Sequence, residues 1–324
     1  MEEQIDSFVE QFSWEPEVVS PHEPGAKGPI LLFGMGGSHL GARLLLRHDP
    51  SLPLTIHSDY GLPKISDEAL FAARIVISSY SGETEETIDA LRACLEKGLR
   101  PGVITSGGTL AKLARENNLP LVLLPTKNIE PRMAIGYAMI AFARITQEES
   151  LEQSIRNAGK AIRTIELKKI GTAIAEGLSN KIPVLYASNQ NLPIAYHIKA
   201  AFNETAKIPA FFNAVPEVCH NEISGYDVSE KSAELISNMC PVFLQDKTDT
   251  DRIALRMQLL QDIFAERHIP VLQFPVLGET PLHAALMTVL AGSFAGLTLA
   301  KTYGVPDSHT PLISDFKERL KRIP

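Results

Sequence analysis

The chain has 324 residues, of which 44% are hydrophobic and 21% are charged, so it is long enough for two domains and unlike a disordered protein. Its formal net charge is −7, whereas a domain that binds duplex nucleic acid normally carries a basic excess. We therefore expect no nucleic-acid partner.

The cysteines and the apolar segments indicate the cellular compartment. Cys94, Cys219 and Cys240 form no pair with the spacing of a metal or redox site, and so sparse a count is typical of the reducing cytosol. The first residues are acidic and lack the apolar run of a secretory signal. The longest apolar stretch, 281–300, is interrupted by polar residues such as His283, so it predicts a buried helix and no membrane span. Together these features predict a cytoplasmic protein without a membrane partner.

The first half of the chain has the pattern of a parallel sheet. Residues 1–28 are polar and rich in proline, and they predict a short helix followed by an arm. Short apolar runs then alternate with helical stretches, as expected for a parallel sheet with helices on both faces. The predicted strands are 29–33, 54–57, 74–78, 102–105 and 120–124. The clearest helices are predicted at 84–97 and 110–117.

The second half repeats this organisation. The charged stretch 146–168 predicts one connecting helix. Strands are then predicted at 182–187, 241–244 and 270–274, and helices at 196–202, 281–303 and 311–321. We therefore predict an α/β fold with two domains, 1–150 and 151–324, each a parallel sheet flanked by helices.

A glycine-rich turn, Gly34-Met-Gly-Gly-Ser-His-Leu-Gly41, follows the first predicted strand and opens a helix. Glycines allow a sharp turn and close approach of a ligand, and a helix N-terminus favours an anion. By itself the segment also fits a dinucleotide-binding turn, with Asp59 as the ribose-binding acid. A tight strand-to-helix turn without any ligand stays open as well.

A hydroxyl-rich turn follows the third predicted strand. Ser79, Ser81 and Thr84 place three hydroxyls around one helix start, and a phosphate monoester needs several converging donors of this kind. A helix N-cap would account for only one of them. Glu83 would repel a dianion, so we expect it to point outward. A further turn, 105–109, follows the next strand, and ligands of open α/β sheets bind at this edge.

These turns closely resemble the sugar isomerase (SIS) domain, a flavodoxin-like sugar-phosphate binder. The match consists of Gly34-x-Gly-Gly-Ser38 and Ser79-x-Ser-Gly-x-Thr84. Four later segments, in the same order, resemble the two-domain bifunctional phosphoglucose/phosphomannose isomerases: Glu130–Tyr137, Phe202–Lys207, Glu217–Glu222 and Thr310–Lys317. Two positions depart from the family pattern, since His39 stands where glycine is usual and Glu83 where asparagine is common.

The resemblance implies an intramolecular oxidoreductase that interconverts hexose 6-phosphates. Glucose 6-phosphate, and also mannose 6-phosphate, would become fructose 6-phosphate by proton transfer through a cis-enediolate, without cofactor or metal. The implied phosphate-binding residues are Gly36, Gly37, Ser38, Ser79, Ser81 and Thr84. The sequence also lacks His-x-x-x-His and Cys-x-x-Cys spacings, so no metal is expected.

The resemblance also implies the catalytic residues. Glu204 would be the base, His220 the acid–base group at the ring oxygen, Arg132 the cation that stabilises the enediolate, and Lys317 an aid to ring opening. Thr310 would leave room for both C2 epimers. In relatives this histidine serves the neighbouring subunit, which implies a homodimer with shared sites.

Ordinary structural roles stay open for each of these residues when the family is set aside. Glu204 could be a surface helix residue, Arg132 a surface residue paired with Glu130, and Lys317 a solvent-facing lysine. His220 could be a structural or exposed histidine.

Three other functions stay open from the residues. An NAD-linked dehydrogenase would leave the hydroxyl cluster unexplained. A non-catalytic sugar-phosphate-binding regulator usually carries a basic helix-turn-helix, for which residues 1–28 are too short and too acidic. A related amino-sugar or heptose phosphate isomerase would differ only in its substrate.

Overall fold

The computed structural model describes residues 1–20, 28–126, 129–320 and 322. The chain forms two compact units. The N-terminal unit consists of Asp6–Ile162 with Glu279–Leu286, and the C-terminal unit of Arg163–Gly278 and Met287–Pro324 with Met1–Ile5. The predicted domain boundary near residue 150 refers to domains that fold independently, and it stays a prediction.

The N-terminal unit is built around a six-stranded sheet. Its strands are β1 (Val18–Val19), β2 (Ile30–Gly34), β3 (Leu54–His57), β4 (Arg74–Ser78), β5 (Gly102–Thr105) and β6 (Leu121–Leu123). Their order is β1-β6-β5-β4-β2-β3, and β1 alone pairs antiparallel within this sheet. The five predicted strands are therefore confirmed. Strand β1 was missed because two residues are too few to show a period.

Helices pack against both faces of this sheet, whose strands are mostly apolar. The helices of this unit are α2 (Gly37–His48), α3 (Asp67–Ala72), α4 (Glu85–Glu96), α5 (Gly108–Glu116), α6 (Ile135–Ile145) and α7 (Glu149–Lys160), whereas α1 (Glu2–Asp6) belongs almost entirely to the C-terminal unit. Every residue of β2 and β5 is buried, as expected of parallel strands covered on two sides. One core cluster joins Leu31 and Ile77 of the sheet to Leu91 of α4 and Leu110 of α5.

The C-terminal unit has a second parallel sheet of four strands, ordered β10-β9-β7-β8. They are β7 (Ile182–Ser188), β8 (Phe211–Val215), β9 (Met239–Gln245) and β10 (Leu272–Pro275). The later helices of the chain are α8 (Thr164–Gly177), α9 (Leu192–Ala201), α10 (Asp251–Glu266), α11 (Pro281–Tyr303) and α12 (Pro311–Leu320). The predicted two-unit α/β architecture with parallel sheets is thus confirmed.

In this half one predicted element is wrong and one strand was missed. The single connecting helix at 146–168 is two helices, α7 and α8, because Ile162 turns into the core and is 4% exposed where the chain leaves the helical path. Strand β8 was not predicted. It is an edge strand with an exposed Phe211 and a polar Asn213, which hide the apolar run expected of a buried strand.

Helix α11 is long and apolar enough to cross a membrane by length and composition. Within its most apolar stretch, 94% of the residues are buried inside the protein. The core helix of a globular protein has these same properties, and burial of this kind was predicted for the stretch 281–300.

Candidate active site

The strand order of the N-terminal sheet reverses between β2 and β4. The chain runs from β2 to β3 on one side and then crosses to β4 on the other. Ligands of open α/β sheets bind outside the carboxyl ends of the strands at such a switch point. The turns that follow β2 and β4 meet there: Ser78 Oγ donates to the Ser38 carbonyl over 3.1 Å, and the Tyr80 N–H donates to Ser38 Oγ over 2.9 Å.

We call the three turns at this edge the cradle: Gly36–Ser38, Ser79–Thr84 and Thr105–Thr109. The third turn contacts the second through main-chain bonds, since the Ser106 N–H donates to the Tyr80 carbonyl over 2.9 Å. A Cβ at Gly82, where φ is +69°, would lie 2.0 Å from the Gly107 oxygen. The cradle residues predicted from scattered sequence motifs are therefore brought together in one place.

Gly36 and Gly37 of the first turn are each required to be glycine, for different structural reasons. Gly36 has a φ of +47°, in the left-handed region that favours glycine. At Gly37 a Cβ would lie 2.7 Å from the Pro131 carbonyl carbon and 2.8 Å from the Arg132 nitrogen. Glycine is needed there because the main chain of Arg132 packs directly against the cradle.

Three serine hydroxyls of the cradle are oriented by backbone donors. Ser38 Oγ accepts the Tyr80 N–H, Ser81 Oγ accepts the Glu83 N–H over 3.2 Å, and Ser79 Oγ accepts the Gly82 N–H over 3.3 Å. A hydroxyl that accepts a bond retains its own proton to donate. The arrangement therefore presents hydroxyl donors at the switch point, as an oxyanion requires.

The N-cap alternative does not explain Thr84. It is the N-cap residue of α4, yet its side chain makes no capping bond. Its hydroxyl instead lies 2.7 Å from the buried Ser79 hydroxyl. One of the two hydroxyl protons forms the bond between Ser79 and Thr84, and the other is left to donate to a ligand.

Glu83 fastens the third cradle turn to the second. Its side chain is exposed, and its carboxylate accepts the Thr109 N–H over 2.6 Å and the Thr109 hydroxyl over 2.9 Å. These donors belong to the first turn of α5, where the helix dipole favours a carboxylate. The expectation that Glu83 points outward is therefore incomplete, because its charge is directed at a neighbouring turn of the cradle.

His39, the other departure from the family pattern, is buried beneath the first turn. Its Nδ1 lies 2.6 Å from the Gly36 carbonyl, which can only accept, so Nδ1 carries the proton. Burial, and to a smaller extent the charge of Arg43, lowers the pKa of His39 to about 4. His39 is therefore neutral near pH 7 and supports the left-handed turn at Gly36.

This burial predicts a pH dependence of stability. Below the ordinary histidine pKa of 6.5 the unfolded chain takes up a proton that the folded protein refuses down to about pH 4. The contribution of His39 to the free energy of unfolding is therefore fully present above pH 6.5. It decreases as the pH falls, by about 1.4 kcal/mol per pH unit at most. We expect His39→Asn to remove roughly 2 kcal/mol of the loss between pH 7.5 and pH 5, measured by urea unfolding. The exposed His309→Asn is the control, and equal losses in the parent and His39→Asn would contradict the prediction.

Arg132 lies in a short 3-10 turn, Pro131–Met133, beside the cradle. It is 4% exposed, and its guanidinium donates to Glu130 Oε2 over 3.2 Å. The alternative of a surface arginine is therefore wrong, although the pairing with Glu130 is present. A buried, permanently charged guanidinium next to an anion cradle is suited to stabilising negative charge.

Glu204 lies in a single π-helical turn, Phe202–Ala206, which continues α9. Its side chain is half-buried, and Phe202 and Thr205 of the same turn are buried. Lys207 ends the turn with a φ of +58° and donates its ammonium group to the Glu204 carbonyl. Such π-helical turns occur frequently at functional sites.

The remaining predicted residues lie on other elements of the C-terminal unit. His220 is exposed and follows the short turn Glu217–Cys219 after β8. Thr310 is half-buried and its carbonyl accepts the Ser314 N–H over 3.1 Å at the start of α12. Lys317 is exposed on that helix. Glu204, His220, Thr310 and Lys317 thus lie on three separate segments, and their catalytic roles stay predictions.

The second sheet also has a switch point, between β7 and β9, but its chemistry is different. There the fully buried Asn191 donates to Ser188 Oγ over 3.0 Å and to Asp246 Oδ2 over 3.1 Å. Carboxylates in this position repel a phosphate dianion. Among the described residues, the glycine and hydroxyl turns expected of a phosphate site therefore lie at the edge of the N-terminal sheet.

Some residues of the site were missed from the sequence. Tyr80 and Pro131 orient the cradle through main-chain atoms, which leave no signal in the side-chain pattern. Within 1–20, 28–126, 129–320 and 322, no group of three or more His, Cys, Asp or Glu side chains could hold a metal ion.

Known proteins resemble this chain over nearly its whole length. The family described as the bacterial phospho-glucose isomerase C-terminal SIS domain matches residues 168–320. A bifunctional phosphoglucose/phosphomannose isomerase from Aquifex aeolicus is 28% identical, over 98% of this chain and 97% of its own. A D-glucosamine-6-phosphate 4-epimerase from Sulfolobus acidocaldarius is 32% identical, over 95% and 94%.

The fold recurs among solved structures. The C-terminal domain of glucosamine-fructose-6-phosphate aminotransferase from Francisella tularensis superposes with a TM-score of 0.64 at 14% identity, covering 95% of this chain and 96% of that one. The sequence and fold comparisons agree. The chain belongs to the family of bifunctional phosphoglucose/phosphomannose isomerases built from SIS domains.

Proposed function

We propose that the protein isomerises hexose 6-phosphates, converting glucose 6-phosphate and mannose 6-phosphate to fructose 6-phosphate. The observation that carries the proposal is the cradle, in which Ser38 and Ser81 each accept a backbone N–H and keep a proton to donate to phosphate, while the Ser79–Thr84 pair keeps one more. Membership of the isomerase family supports the same activity. The dehydrogenase and regulator alternatives gain no support from these relatives.

The reaction assigns one task to each predicted residue. Gly36, Gly37, Ser38, Ser79, Ser81 and Thr84 hold the phosphate. Glu204 removes the proton from C2 and returns one to C1, and Arg132 stabilises the enediolate between the two steps. His220 and Lys317 serve ring opening, and Thr310 leaves space for either epimer at C2.

The test is an assay of fructose 6-phosphate formation from each aldose phosphate, with and without EDTA. We expect both substrates to react at rates that EDTA leaves unchanged, because the proposed proton transfers use side chains alone. Loss of activity in EDTA that a divalent cation restores would contradict the metal-free route. No isomerisation of either sugar would contradict the function.

Amino-sugar epimerisation is the second candidate. The 32% identical relative carries that name, and the cradle would bind glucosamine 6-phosphate as readily as glucose 6-phosphate, since both present the same phosphate. NMR of glucosamine 6-phosphate incubated with the protein distinguishes the candidates, because inversion at C4 yields the galactosamine isomer. Inversion without any fructose 6-phosphate in the first assay would establish the epimerase.

We also propose a homodimer in which His220 acts in the site of the neighbouring subunit, as the family resemblance implies. A cytoplasmic location is proposed as well. It is supported by the free thiols of Cys94, Cys219 and Cys240, which suit a reducing compartment.

The cradle predicts a specific loss of phosphate affinity. Ser38→Ala with Ser81→Ala removes two of the oriented donors and leaves the proposed catalytic groups intact. Each bond to a charged group contributes roughly 1.5–3 kcal/mol, so we expect KM and the inhibition constant of inorganic phosphate to rise at least ~10-fold. We expect kcat to change only a few-fold.

Ser51→Ala is the matched control, because that serine is exposed and bonds to Asp49, two residues away in sequence. Thermal unfolding verifies that the variants fold. Parental phosphate inhibition of the double variant would mean that the phosphate binds elsewhere.

A further inference from the structure

The segment that carries His220 has little regular structure of its own. Between β8 and Asp227 it forms two short 3-10 turns, Glu217–Cys219 and Glu222–Tyr226. Its main-chain bonds are local, such as the His220 N–H to the Glu217 carbonyl over 2.9 Å. Bonds of this range shape the segment but do not fix it relative to the sheet.

Glu222, two residues after His220, connects this segment to the sheet. Tyr186 Oη on β7 donates to Glu222 Oε1 over 2.7 Å, and Asn213 Nδ2 on β8 donates to Glu222 Oε2. Tyr186 and Asn213 are directly paired in the β7–β8 register, so their side chains project from the same face of the sheet. One half-buried carboxylate thus bonds to the two adjacent strands at once.

The direction of these bonds follows from the chemistry of the groups. An ionised carboxylate only accepts, so the Tyr186 proton is directed at Glu222. The Tyr226 hydroxyl, 2.9 Å from that of Tyr186, then donates to Tyr186. Tyr186 is fully buried and Tyr226 is 5% exposed, and burial raises the pKa of both phenols, which keeps them protonated donors.

Apolar contacts pack against the two tyrosines of this network. Val218 and Tyr226 of the segment pack in one core cluster with Tyr186, Phe243 and Phe264. The carboxylate of Glu222 is held in one position, because breaking its hydrogen bond to Tyr186 would leave a buried donor without a partner, which costs free energy.

We propose that Glu222 is a positioning residue, which holds the His220 segment at a fixed place on the sheet through Tyr186 and Asn213. The inference rests on the proposed function for the role of His220, and it adds a group outside the assigned catalytic set. Misplacing a catalytic group by about 1 Å can cost ~10²-fold in rate, so fixing this segment has a measurable consequence.

Two variants of Glu222 distinguish positioning from chemistry. Glu222→Ala removes both acceptors, and we expect kcat to fall roughly 10- to 100-fold with KM for the sugar phosphate within about threefold. Glu222→Gln retains the connections. Its carbonyl accepts from Asn213, its amide donates to Tyr186, and Tyr186 donates to Tyr226 in turn. We expect its kcat to stay within about threefold of the parent.

Glu217→Ala is the matched control. This glutamate lies in the same segment and is exposed, and its side chain bonds to Asn221 within that segment over 2.8 Å. We expect its kcat to remain parental. A glutamine variant as inactive as Glu222→Ala would mean that Glu222 takes part in the chemistry, and a fully active Glu222→Ala would mean that the connection positions nothing.

Two further measurements separate this inference from the proposed function. In a His220→Ala background, Glu222→Ala should lower kcat little further, because the group to be positioned is gone. A general folding defect would instead lower kcat by the same factor as in the parent. Hydrogen exchange of residues 217–226 should accelerate in Glu222→Ala and not in Glu222→Gln, whatever the activity. Parental activity of His220→Ala would overturn the role of His220 alone, and unchanged exchange would overturn the connection itself.

Discussion

Glu204→Gln is expected to lower kcat at least ~10²-fold, the lower limit for loss of a general base. Glutamine keeps the size and hydrogen-bonding shape of the side chain but cannot take a proton from C2. The cradle that is proposed to bind the phosphate belongs to the N-terminal unit and is untouched by the change, so KM and phosphate inhibition should stay near parental. Steady-state assays with glucose 6-phosphate and mannose 6-phosphate measure both parameters.

Glu234→Gln provides the matched control, since that residue is exposed in a short turn after the His220 segment. It should retain parental kcat. Turnover of Glu204→Gln within a few-fold of the parent would assign the base to another carboxylate and leave the π-helical turn Phe202–Ala206 without its proposed purpose.

Two inactive variants, Glu204→Gln and His220→Ala, are expected to restore activity when their subunits are mixed. If His220 acts in the neighbouring subunit's site, one site of each heterodimer contains both intact residues and the other contains neither. Random exchange makes about half of the dimers heterodimers. Activity should therefore recover to roughly a quarter of the parental value.

The experiment needs proof of exchange and a control that cannot complement. Differently tagged subunits, purified through both tags, isolate the heterodimer directly. Mixing two differently tagged preparations of Glu204→Gln should give no recovery. An inactive but verified heterodimer of the two variants would show that Glu204 and His220 act within one chain, and a monomeric parent protein would contradict the proposed dimer.

The phosphate cradle shows how far the sequence pattern extends. Its glycines and hydroxyls were recognisable because small residues and Ser or Thr directly after apolar strands mark the ligand edge of a parallel sheet. What each does was not recognisable. Ser79 is buried and shares a proton with Thr84, whereas Ser81 is exposed, and these differences follow from contacts between segments separated in sequence.

The second switch point illustrates the opposite case. The two halves of the chain have the same succession of strands and helices, so their sheets were predicted alike. The sheets place different chemistry at the same position, since the C-terminal one brings Asn191 next to Asp246, which lies 55 residues further along the chain. Which side chains meet at the edge of each sheet is therefore decided by the tertiary structure.

The sequence by itself determined the α/β class, the parallel strands and the turns that carry the glycines and hydroxyls. These features depend on the period of apolar residues and on backbone freedom, which are local. Only the tertiary structure revealed the packing of Arg132 on Gly37, the reach of Glu83 to Thr109 and the bonds of Glu222 to Tyr186 and Asn213. Each joins residues whose distance in space is set by strand order and register, and side-chain periodicity carries no record of either.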